Sequence, residues 1–438
     1  MTINIPDCKP GQQRLVIIGG GFAGLKLARS LVKSHYQIVL LDKNNFHQFQ
    51  PLFYQVAMAG LEPSSIVFPL RKIFQRFKNV FIRITEVEGV DLKTQKINTS
   101  LGTLHYDDLV IAIGADTNFF GNMDLAEKTI PMKSVGEALF LRNIILSDYE
   151  KALSTTDYDV RQGLIDIVIV GGGPTGVEVA GALAEMKKYI LPKEYKELDC
   201  DEIDIYLVQG GDRLLNGMSA EAAEAAERFL QDLGVIVMKN KRVTSFDGAY
   251  VYMKDGSKIQ ANKVIWAAGI TGNTLQGLPK DALGWGNRIK VNRYNQLLGF
   301  EHVFAIGDIA YMEEEAYPQG HPQVAQVAIQ QAKLLSQNLK ARHKGNDLEK
   351  FEYKDLGSMA TIGRNRAVAD LPAFRSQGFF AWVIWLFVHL FALVGVKNKL
   401  FVFINWVWNY FTYDQSLRLI IRVKERIVGR VSASQVEK

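Results

Sequence analysis

The feature that most constrains the fold of this chain is a glycine signature that occurs twice. Its spacing is Gly-x-Gly-x-x-Gly, and its two copies are Gly19, Gly20, Gly21, Phe22, Ala23, Gly24 and, later, Gly171 to Gly176. Each copy follows an apolar run typical of a buried parallel strand and precedes a segment rich in Ala and Leu that is typical of a helix. In that setting the glycines allow a tight turn and a close approach of a pyrophosphate to helix N–H groups. One copy also fits a purely structural turn, but two copies predict two dinucleotide sites.

An acidic residue strengthens the first site. The apolar strand Gln37–Leu41 ends in Asp42, which lies 18 residues after Gly24. A carboxylate at that place accepts hydrogen bonds from the ribose of an adenosine, as in FAD or NAD. The plain alternative is a solvated carboxylate at the end of a strand.

The pattern repeats beyond the glycine loops, which indicates an internal duplication. The first unit closes with the apolar run Tyr106–Ala115 and the second with Lys263–Gly269. Gly114 allows a cofactor to come close to the backbone, and Gly269 is also a candidate cofactor-binding residue. We predict an α/β protein with two Rossmann-like dinucleotide-binding domains and a membrane-associating helical region at the C-terminus. The expected boundaries are 1–116 and 276–345 for the first domain, 117–275 for the second, and 346–438 for the C-terminal region.

Charge and cysteine content limit the function. The net charge is only +5, and its basic excess lies near the C-terminus at Lys397, Lys399, Arg418, Arg422, Lys424, Arg426 and Arg430. That placement, beside the most apolar segment, is typical of a membrane surface and not of nucleic-acid binding. The N-terminal residues lack the apolar core of a targeting segment, so we expect a cytoplasmic protein. Cys8 and Cys200 are too few for an iron–sulfur centre or a redox disulfide, so a bound flavin would reduce an external acceptor directly.

Several of these motifs together resemble one family. The chain is similar to the type II NADH:quinone oxidoreductases, or alternative NADH dehydrogenases, of the flavoprotein superfamily with two dinucleotide-binding domains. The resemblance covers nearly the whole chain and rests on Ile18–Gly24, Asn45–Ala57, Gly171–Glu178, Trp266–Gly269, Ala305–Asp308 and Ala325–Gln331. It implies FAD in the first domain, NADH in the second, and no metal.

The resemblance also assigns roles to individual residues. It implies that FAD is bound by the first glycine loop and by Asp42, Lys43, Val87 and Asp308. It implies that Gly171, Gly173 and Gly176 bind NADH and that Ala325 lets its helix approach the flavin. Glu178 would face nicotinamide and flavin and take part in proton or hydride handling. A carboxylate in the first turn of a helix is also favourable for the helix dipole alone.

Two glutamines are candidates for the electron acceptor. Gln326 and Gln330 lie four residues apart in a helix predicted for Gln323–Leu339, and therefore share one face. A glutamine amide can donate to a quinone carbonyl without placing a charge in apolar surroundings. Spacing alone also fits a solvated face; the resemblance favours a quinone site at Gln326 and, less directly, at Gln330.

The second nucleotide site departs from the usual pattern. The strand predicted at Ile203–Val208 ends in Gln209, where NAD-specific sites carry Asp or Glu. Gln209 can bind a ribose hydroxyl, but it does not repel a 2'-phosphate. Arg213 could attract that phosphate or simply lie on the surface, which leaves the preference for NADH over NADPH open.

The C-terminal region indicates where the acceptor is found. Phe379–Val396 is an 18-residue apolar run interrupted only by His389, and Leu400–Phe411 is rich in Trp, Tyr and Phe. The first run could form a single span, or both could lie in the interface as a monotopic attachment. A buried helix in a homodimer is the remaining alternative. We expect attachment to the cytoplasmic face of the membrane.

These features predict a non-pumping, FAD-dependent transfer of two electrons from NADH to a membrane quinone. The alternatives are a soluble reductase that donates to a ferredoxin- or rubredoxin-type protein, and a binding protein whose state depends on its redox cofactor.

Overall fold

The computed structural model describes residues 2–413 and 417–421. Its helices are Phe22–Leu31, Phe53–Ala57, Pro63–Ile66, Leu70–Phe74, Met123–Lys128, Val135–Ala152, Tyr158–Ile165, Pro174–Tyr189, Leu191–Glu194, Ala220–Asp232, Ala325–His343, Phe379–Ala392 and Val396–Thr412. Its strands are Arg14–Ile18, Gln37–Asp42, Phe46–Gln48, Val67–Pro69, Val80–Ile84, Val87–Asp91, Lys96–Thr99, Gly102–His105, Asp108–Ile111, Ala115–Thr117, Ile130–Pro131, Ile167–Val170, Ile205–Val208, Ile236–Met238, Val243–Phe246, Tyr250–Met253, Lys258–Gln260, Val264–Trp266, Ile270–Gly272, Ile289–Lys290, Val303–Ala305, Ala310–Tyr311, Ser358–Gly363, Arg366–Asp370 and Arg375–Gln377.

Two five-stranded parallel sheets form the centre of the molecule. The first has the order Val303–Ala305, Asp108–Ile111, Arg14–Ile18, Gln37–Asp42, Val80–Ile84. The second has the order Ile130–Pro131, Val264–Trp266, Ile167–Val170, Ile205–Val208, Ile236–Met238. In both sheets the strand before a glycine loop is central, and its residues are almost all buried, because helices cover one face of the sheet and a three-stranded antiparallel sheet covers the other. The expected α/β class with two Rossmann-like units is confirmed.

The element boundaries differ from the expected ones by a few residues. The apolar run before the second glycine loop begins at Ile165, and we expect its strand to begin there. The strand begins at Ile167 instead, because the helix Tyr158–Ile165 extends to Ile165. The strand expected from Ile203 begins at Ile205. The helix expected at Gln323–Leu339 runs from Ala325 to His343, because Val324 is extended with φ −132° and ψ 153°. The domain boundaries that we infer from the sequence stay predictions.

A C-terminal layer covers one side of the second unit. The antiparallel strands Ser358–Gly363, Arg366–Asp370 and Arg375–Gln377 form a small sheet that packs on the helix Pro174–Tyr189. The closest approach is at Gly181, where a Cβ atom would lie 1.8 Å from the carbonyl oxygen of Ile362. A residue without a side chain is therefore required for this packing.

The apolar run Phe379–Val396, for which a single span is one of the expected alternatives, is not one continuous helix. The helix Phe379–Ala392 ends where Leu393 turns extended, and Gly395, with φ +87°, separates it from Val396–Thr412. Within residues 2–413 and 417–421, no helix combines the length and the apolar character needed to cross a bilayer. Of the basic residues noted above, Arg422, Lys424, Arg426 and Arg430 lie outside the described residues.

The two C-terminal helices bury one face against the nucleotide-binding units and expose the other. Trp385 and Val402 are buried, whereas large apolar side chains on the opposite face are strongly exposed, among them Phe380, Phe391, Val396, Phe401, Trp408 and Phe411. Asn398 fixes the second helix to the first unit, because its Nδ2 donates to the carbonyl oxygens of Ser64 and Val67. The result is an aromatic surface that is packed on the nucleotide-binding units.

The contact at Gly181 gives a first prediction. Gly181→Ala should destabilise the protein by about 1–3 kcal/mol, because the added methyl group overlaps the backbone of Ile362. Gly136→Ala is the matched control: its site in the helix Val135–Ala152 is open, and alanine there should be neutral or stabilising by up to about 1 kcal/mol. Thermal unfolding of both variants measures the difference, and equal midpoints would contradict the proposed tight packing.

Candidate active site

The first glycine loop has the shape of a phosphate-binding turn. Gly19 has φ +103°, and a Cβ atom there would lie 2.3 Å from the carbonyl oxygen of Ala112. At Gly24 it would lie 1.9 Å from the carbonyl oxygen of Gly19. Gly21, at the N-cap of the helix Phe22–Leu31, faces open space instead. The loop is thus closely packed behind and open in front, where free helix N–H groups attract an anion.

Asp42 holds the first loop in place. Its Oδ2 accepts a hydrogen bond from the Gly20 N–H at 2.6 Å, and its Oδ1 accepts one from the Asn44 N–H at 2.6 Å. Burial raises the pKa of this carboxyl, and the two N–H donors oppose the rise. Each carboxylate oxygen can accept a second hydrogen bond, so the site remains compatible with a ribose hydroxyl.

The second glycine loop repeats this geometry. Gly171 has φ +114° and would place a Cβ atom 2.4 Å from the carbonyl oxygen of Ala267, whereas Gly173 faces open space. At Gly176 a Cβ atom would lie 1.9 Å from the carbonyl oxygen of Gly171. Gln209 takes the place of Asp42, since its Oε1 accepts from the Gly172 N–H at 3.0 Å. Its Nε2 donates to the carbonyl oxygen of Arg213 at 3.2 Å, which fixes the amide orientation.

The carboxyl edges of the two sheets gather most of the other candidate cofactor residues. At the first edge, Gly114 has φ +71° with open space before it, and Asp308 follows the strand Val303–Ala305. Burial raises the pKa of Asp308, against the opposing charges of Lys133 and Arg288. At the second edge lies Gly269, with φ +145°. Lys43, directly after Asp42, is exposed. Val87 is half-buried at the start of the strand Val87–Asp91, and Ala325 is the first residue of the helix Ala325–His343.

Gln326 and Gln330 share one helix face, but both amides bind the backbone of the segment 354–357. Gln326 accepts from the Leu356 N–H at 2.9 Å and donates to the carbonyl oxygen of Gly357 at 3.1 Å. Gln330 donates to the carbonyl oxygen of Lys354 at 2.8 Å and accepts from its N–H at 3.0 Å. Neither residue lines the cavity that contains Glu178. Their assignment to a quinone site stays a prediction.

Glu178 lines a cavity of about 130 Å³ between the second unit and the C-terminal layer. The walls come from the helix Pro174–Tyr189, the segment Phe53–Ala57, the strand Ser358–Gly363 and the two C-terminal helices. Aromatic side chains dominate the wall opposite the carboxylate: Trp382, Trp385, Trp406, Tyr410 and Tyr413. This is a small site with one acidic wall and one apolar wall.

Burial makes Glu178 a weaker acid than a glutamate in water. Loss of hydration raises the pKa of its carboxyl to about 8, and the Thr361 N–H, 3.5 Å from Oε1, offsets this only in part. At neutral pH the group is therefore mainly protonated and can donate a proton. The nearby Tyr54 hydroxyl also has a raised pKa, first because of its burial and then because of the charge of Glu178.

Sequence reasoning missed several residues of this cavity. Tyr54 accepts a hydrogen bond from Gln55 Nε2 at 2.7 Å, and Gln55 Oε1 accepts one from Trp406 Nε1 at 2.7 Å, which joins the first unit to a C-terminal helix. Glu185 stands in the same cavity, seven residues after Glu178 on the same helix face. That spacing was a usable signal, whereas the contacts of Trp406 depend on tertiary packing that no local pattern shows.

The fold and this arrangement of sites define a pyridine-nucleotide oxidoreductase, and comparisons with known proteins agree. Residues 13–332 match the pyridine nucleotide-disulphide oxidoreductase family, and residues 356–413 match the NDH2 C-terminal domain. The type II NADH:quinone oxidoreductase Ndh of Mycobacterium tuberculosis is 35% identical over 91% of this chain and 88% of its own length. The type II NADH:quinone oxidoreductase of Staphylococcus aureus is 26% identical over 82% of this chain and 89% of its own length.

Solved structures agree on the fold. The NDH2 of Plasmodium falciparum, solved in complex with NADH, superposes with a TM-score of 0.86 at 22% identity and covers 94% of this chain and 100% of that one. The sulfide:quinone oxidoreductase of Aquifex aeolicus superposes with a TM-score of 0.71 at 18% identity, over 92% and 96% of the two chains. The chain belongs to the family of type II NADH:quinone oxidoreductases, and it is an enzyme of the NADH dehydrogenase type.

The raised pKa of Glu178 predicts a pH-dependent stability. The folded protein keeps this proton up to about pH 8, whereas the unfolded chain releases it near the ordinary value of 4.5, so stability falls as pH rises between them. Glu178→Gln cannot ionise and should be more stable than the wild type above pH 8 by about 1 kcal/mol or more. Thermal unfolding at several pH values measures this, with the exposed Glu197→Gln as control. Parallel pH profiles for all three proteins would contradict the assignment.

Proposed function

We propose that this enzyme uses FAD to carry two electrons from NADH to a membrane quinone, without pumping protons, and reduces the quinone beside Glu178. The observation that carries the proposal is the shared cavity: the helix that begins at the second glycine loop supplies Glu178, and the exposed C-terminal helices supply the aromatic wall. A nucleotide site and an apolar surface thus meet at one buried acid.

The two glycine loops divide the cofactors between them. The first loop, with the anionic Asp42 behind Gly20, suits the pyrophosphate and adenosine of FAD. The second loop, with the neutral Gln209, suits the pyrophosphate and ribose of NADH. When bound, FAD supplies the two-electron chemistry that links the nicotinamide to the quinone. The chain leaves open space for FAD and NADH beside three glycines, Gly21, Gly114 and Gly173.

The residues of the chain contribute orientation, exclusion of water and a proton. Glu178 is mainly protonated at neutral pH and can donate to a quinone oxygen that gains charge during reduction. The aromatic wall suits the flat, apolar ring and tail of a quinone. A role for Gln326 requires its amide to leave the backbone of Leu356 and Gly357, and a role for Gln330 requires the same at Lys354.

The exposed aromatic surface supports monotopic attachment at the cytoplasmic face of the membrane. Phe380 is 75% exposed, Phe391 71% and Phe411 78%, and the exposed Lys397 lies over the ring of Phe401, where it can meet anionic headgroups. The two acids of the cavity, Glu178 and Glu185, belong to the second nucleotide-binding unit behind this surface. Protons are then taken up on the side from which NADH binds, and no proton crosses the bilayer.

The electron transfer is tested by following each half-reaction separately in stopped flow. NADH should bleach the flavin absorbance, and a short-chain quinone should restore it. Ala182→Leu, which fills the cavity between Glu178 and Glu185, should slow the quinone step at least about tenfold and leave the NADH step unchanged. Lys188→Leu, exposed on the same helix, is the control. Bleaching without recovery in the wild type would rule out a quinone acceptor and favour a protein acceptor.

Membrane attachment is tested by binding to phospholipid vesicles. The double variant Phe380→Asp and Phe391→Asp should bind at least about tenfold more weakly, because each exposed ring contributes about 1.5–3 kcal/mol when buried in lipid. Its rate with a water-soluble quinone should stay unchanged. The matched control carries aspartate at Trp285 and Leu298, which are exposed outside the C-terminal helices. Equal vesicle binding of the two double variants would contradict the assigned surface.

A further inference from the structure

A second acid lies in the cavity that the proposed function assigns to the quinone. Glu178 and Glu185 are seven residues apart on the helix Pro174–Tyr189, which places them on one face about 10.5 Å apart along the axis. Both line the same cavity, and the small Ala182 between them leaves the space open. Two carboxyl groups on one face of the helix therefore line the same cavity.

Local packing holds the carboxyl group of Glu185 in position. Its Oε1 accepts a hydrogen bond from the Arg364 N–H at 2.5 Å. A Cβ atom at Gly363 would lie 2.8 Å from the same oxygen, so a side chain there would displace the carboxyl group. Burial raises the pKa of Glu185, against the Arg364 N–H and the charges of Arg364 and Arg366. On the facing segment, the hydroxyl of Tyr54 senses the charges of both acids.

Glu185 lies towards the C-terminal end of the helix, three residues before the exposed Lys188. The half-exposed Arg364 lies over the rings of Tyr413, at 3.4 Å, and Tyr410, at 4.9 Å, and it donates to the carbonyl oxygen of Asn409. These half-exposed side chains line the cavity and form its rim. Glu178, in contrast, lies in the N-terminal half of the helix, two residues after the last glycine of the second loop.

The overall reaction requires one proton from solvent in each turnover. NADH, one proton and the quinone give NAD⁺ and the quinol, so two electrons and one proton come from NADH and the second proton comes from water. A proton that Glu178 gives to the quinone must be replaced before the next turnover. Its carboxyl group lies inside the protein, so replacement needs a path.

We propose that Glu185 relays protons from solvent to Glu178. Glu185 releases its carboxyl proton towards the Glu178 carboxylate and is then reprotonated from the rim of the cavity. The distance is too long for one transfer, but the cavity of about 130 Å³ has room for bridging water. The Tyr54 hydroxyl can also bridge, because it accepts from Gln55 Nε2 and keeps its own proton to donate. Glu185 thus acts through Glu178 and does not touch the reacting atoms.

The relay is tested first without turnover. The carboxyl C=O band of Glu178 in the infrared spectrum shifts when the proton is exchanged for deuterium, and Glu178→Gln identifies this band by its loss. After transfer of the oxidised holoenzyme to D₂O, Glu185→Gln should slow the shift at least about tenfold, while Glu185→Asp should largely preserve it. Glu197→Gln is the control for an exposed carboxylate. An unchanged exchange rate in Glu185→Gln would overturn the relay.

The kinetic test separates the relay from the proposed function on which it rests. Glu185→Gln should slow the quinone half-reaction about tenfold, with a larger loss at high pH and a larger solvent isotope effect, and leave the NADH step unchanged. If Glu178→Gln slows the quinone step and Glu185→Gln does not, the relay alone fails. If Glu178→Gln has no effect on that step, the cavity is not the quinone site. Should Glu185→Gln fail to fold, Glu185→Met, of similar length, replaces it in both measurements.

Discussion

The contact between Gly181 and the backbone of Ile362 is the constraint on which the candidate active site depends. A Cβ atom at residue 181 would lie 1.8 Å from a carbonyl oxygen, so only glycine lets the C-terminal sheet lie directly on the helix Pro174–Tyr189. That contact brings the aromatic helices over Glu178 and closes the cavity. The same helix begins at the second glycine loop, so one rigid element connects the nucleotide site to the apolar surface.

The two nucleotide sites show how one backbone geometry can carry different charge. Asp42 and Gln209 end corresponding strands and accept hydrogen bonds from corresponding glycine N–H groups. The fold therefore needs only an acceptor oxygen at this place and not a negative charge. The neutral amide removes the repulsion that would exclude a 2'-phosphate, but its Nε2 is held by the carbonyl oxygen of Arg213. The nearby Arg213 is itself bound, because its Nη2 donates to the carbonyl oxygen of Asn216.

The sequence predicts the parts of this enzyme that local patterns determine. The glycine loops, the central strands and the two-unit plan follow from steric and periodic rules that act over about 30 residues. The wall formed by Tyr54, Trp385 and Trp406 could not be predicted, because its members come from distant segments. Gln326 and Gln330 show the limit of spacing arguments. They share one helix face as expected, but in the structure their amides bind the backbone of residues 354–357.

The cavity combines two requirements that usually conflict. A quinone needs apolar surroundings, whereas its reduction needs protons, and a charged carboxylate is costly in such surroundings. Burial resolves the conflict by raising the pKa of Glu178 to about 8, so the acid is neutral and still able to donate. The same burial slows the return of a proton from water. In the proposed relay, a second acid on the same helix, held by a backbone N–H and facing the positive charges of Arg364 and Arg366, supplies the path by which that proton returns.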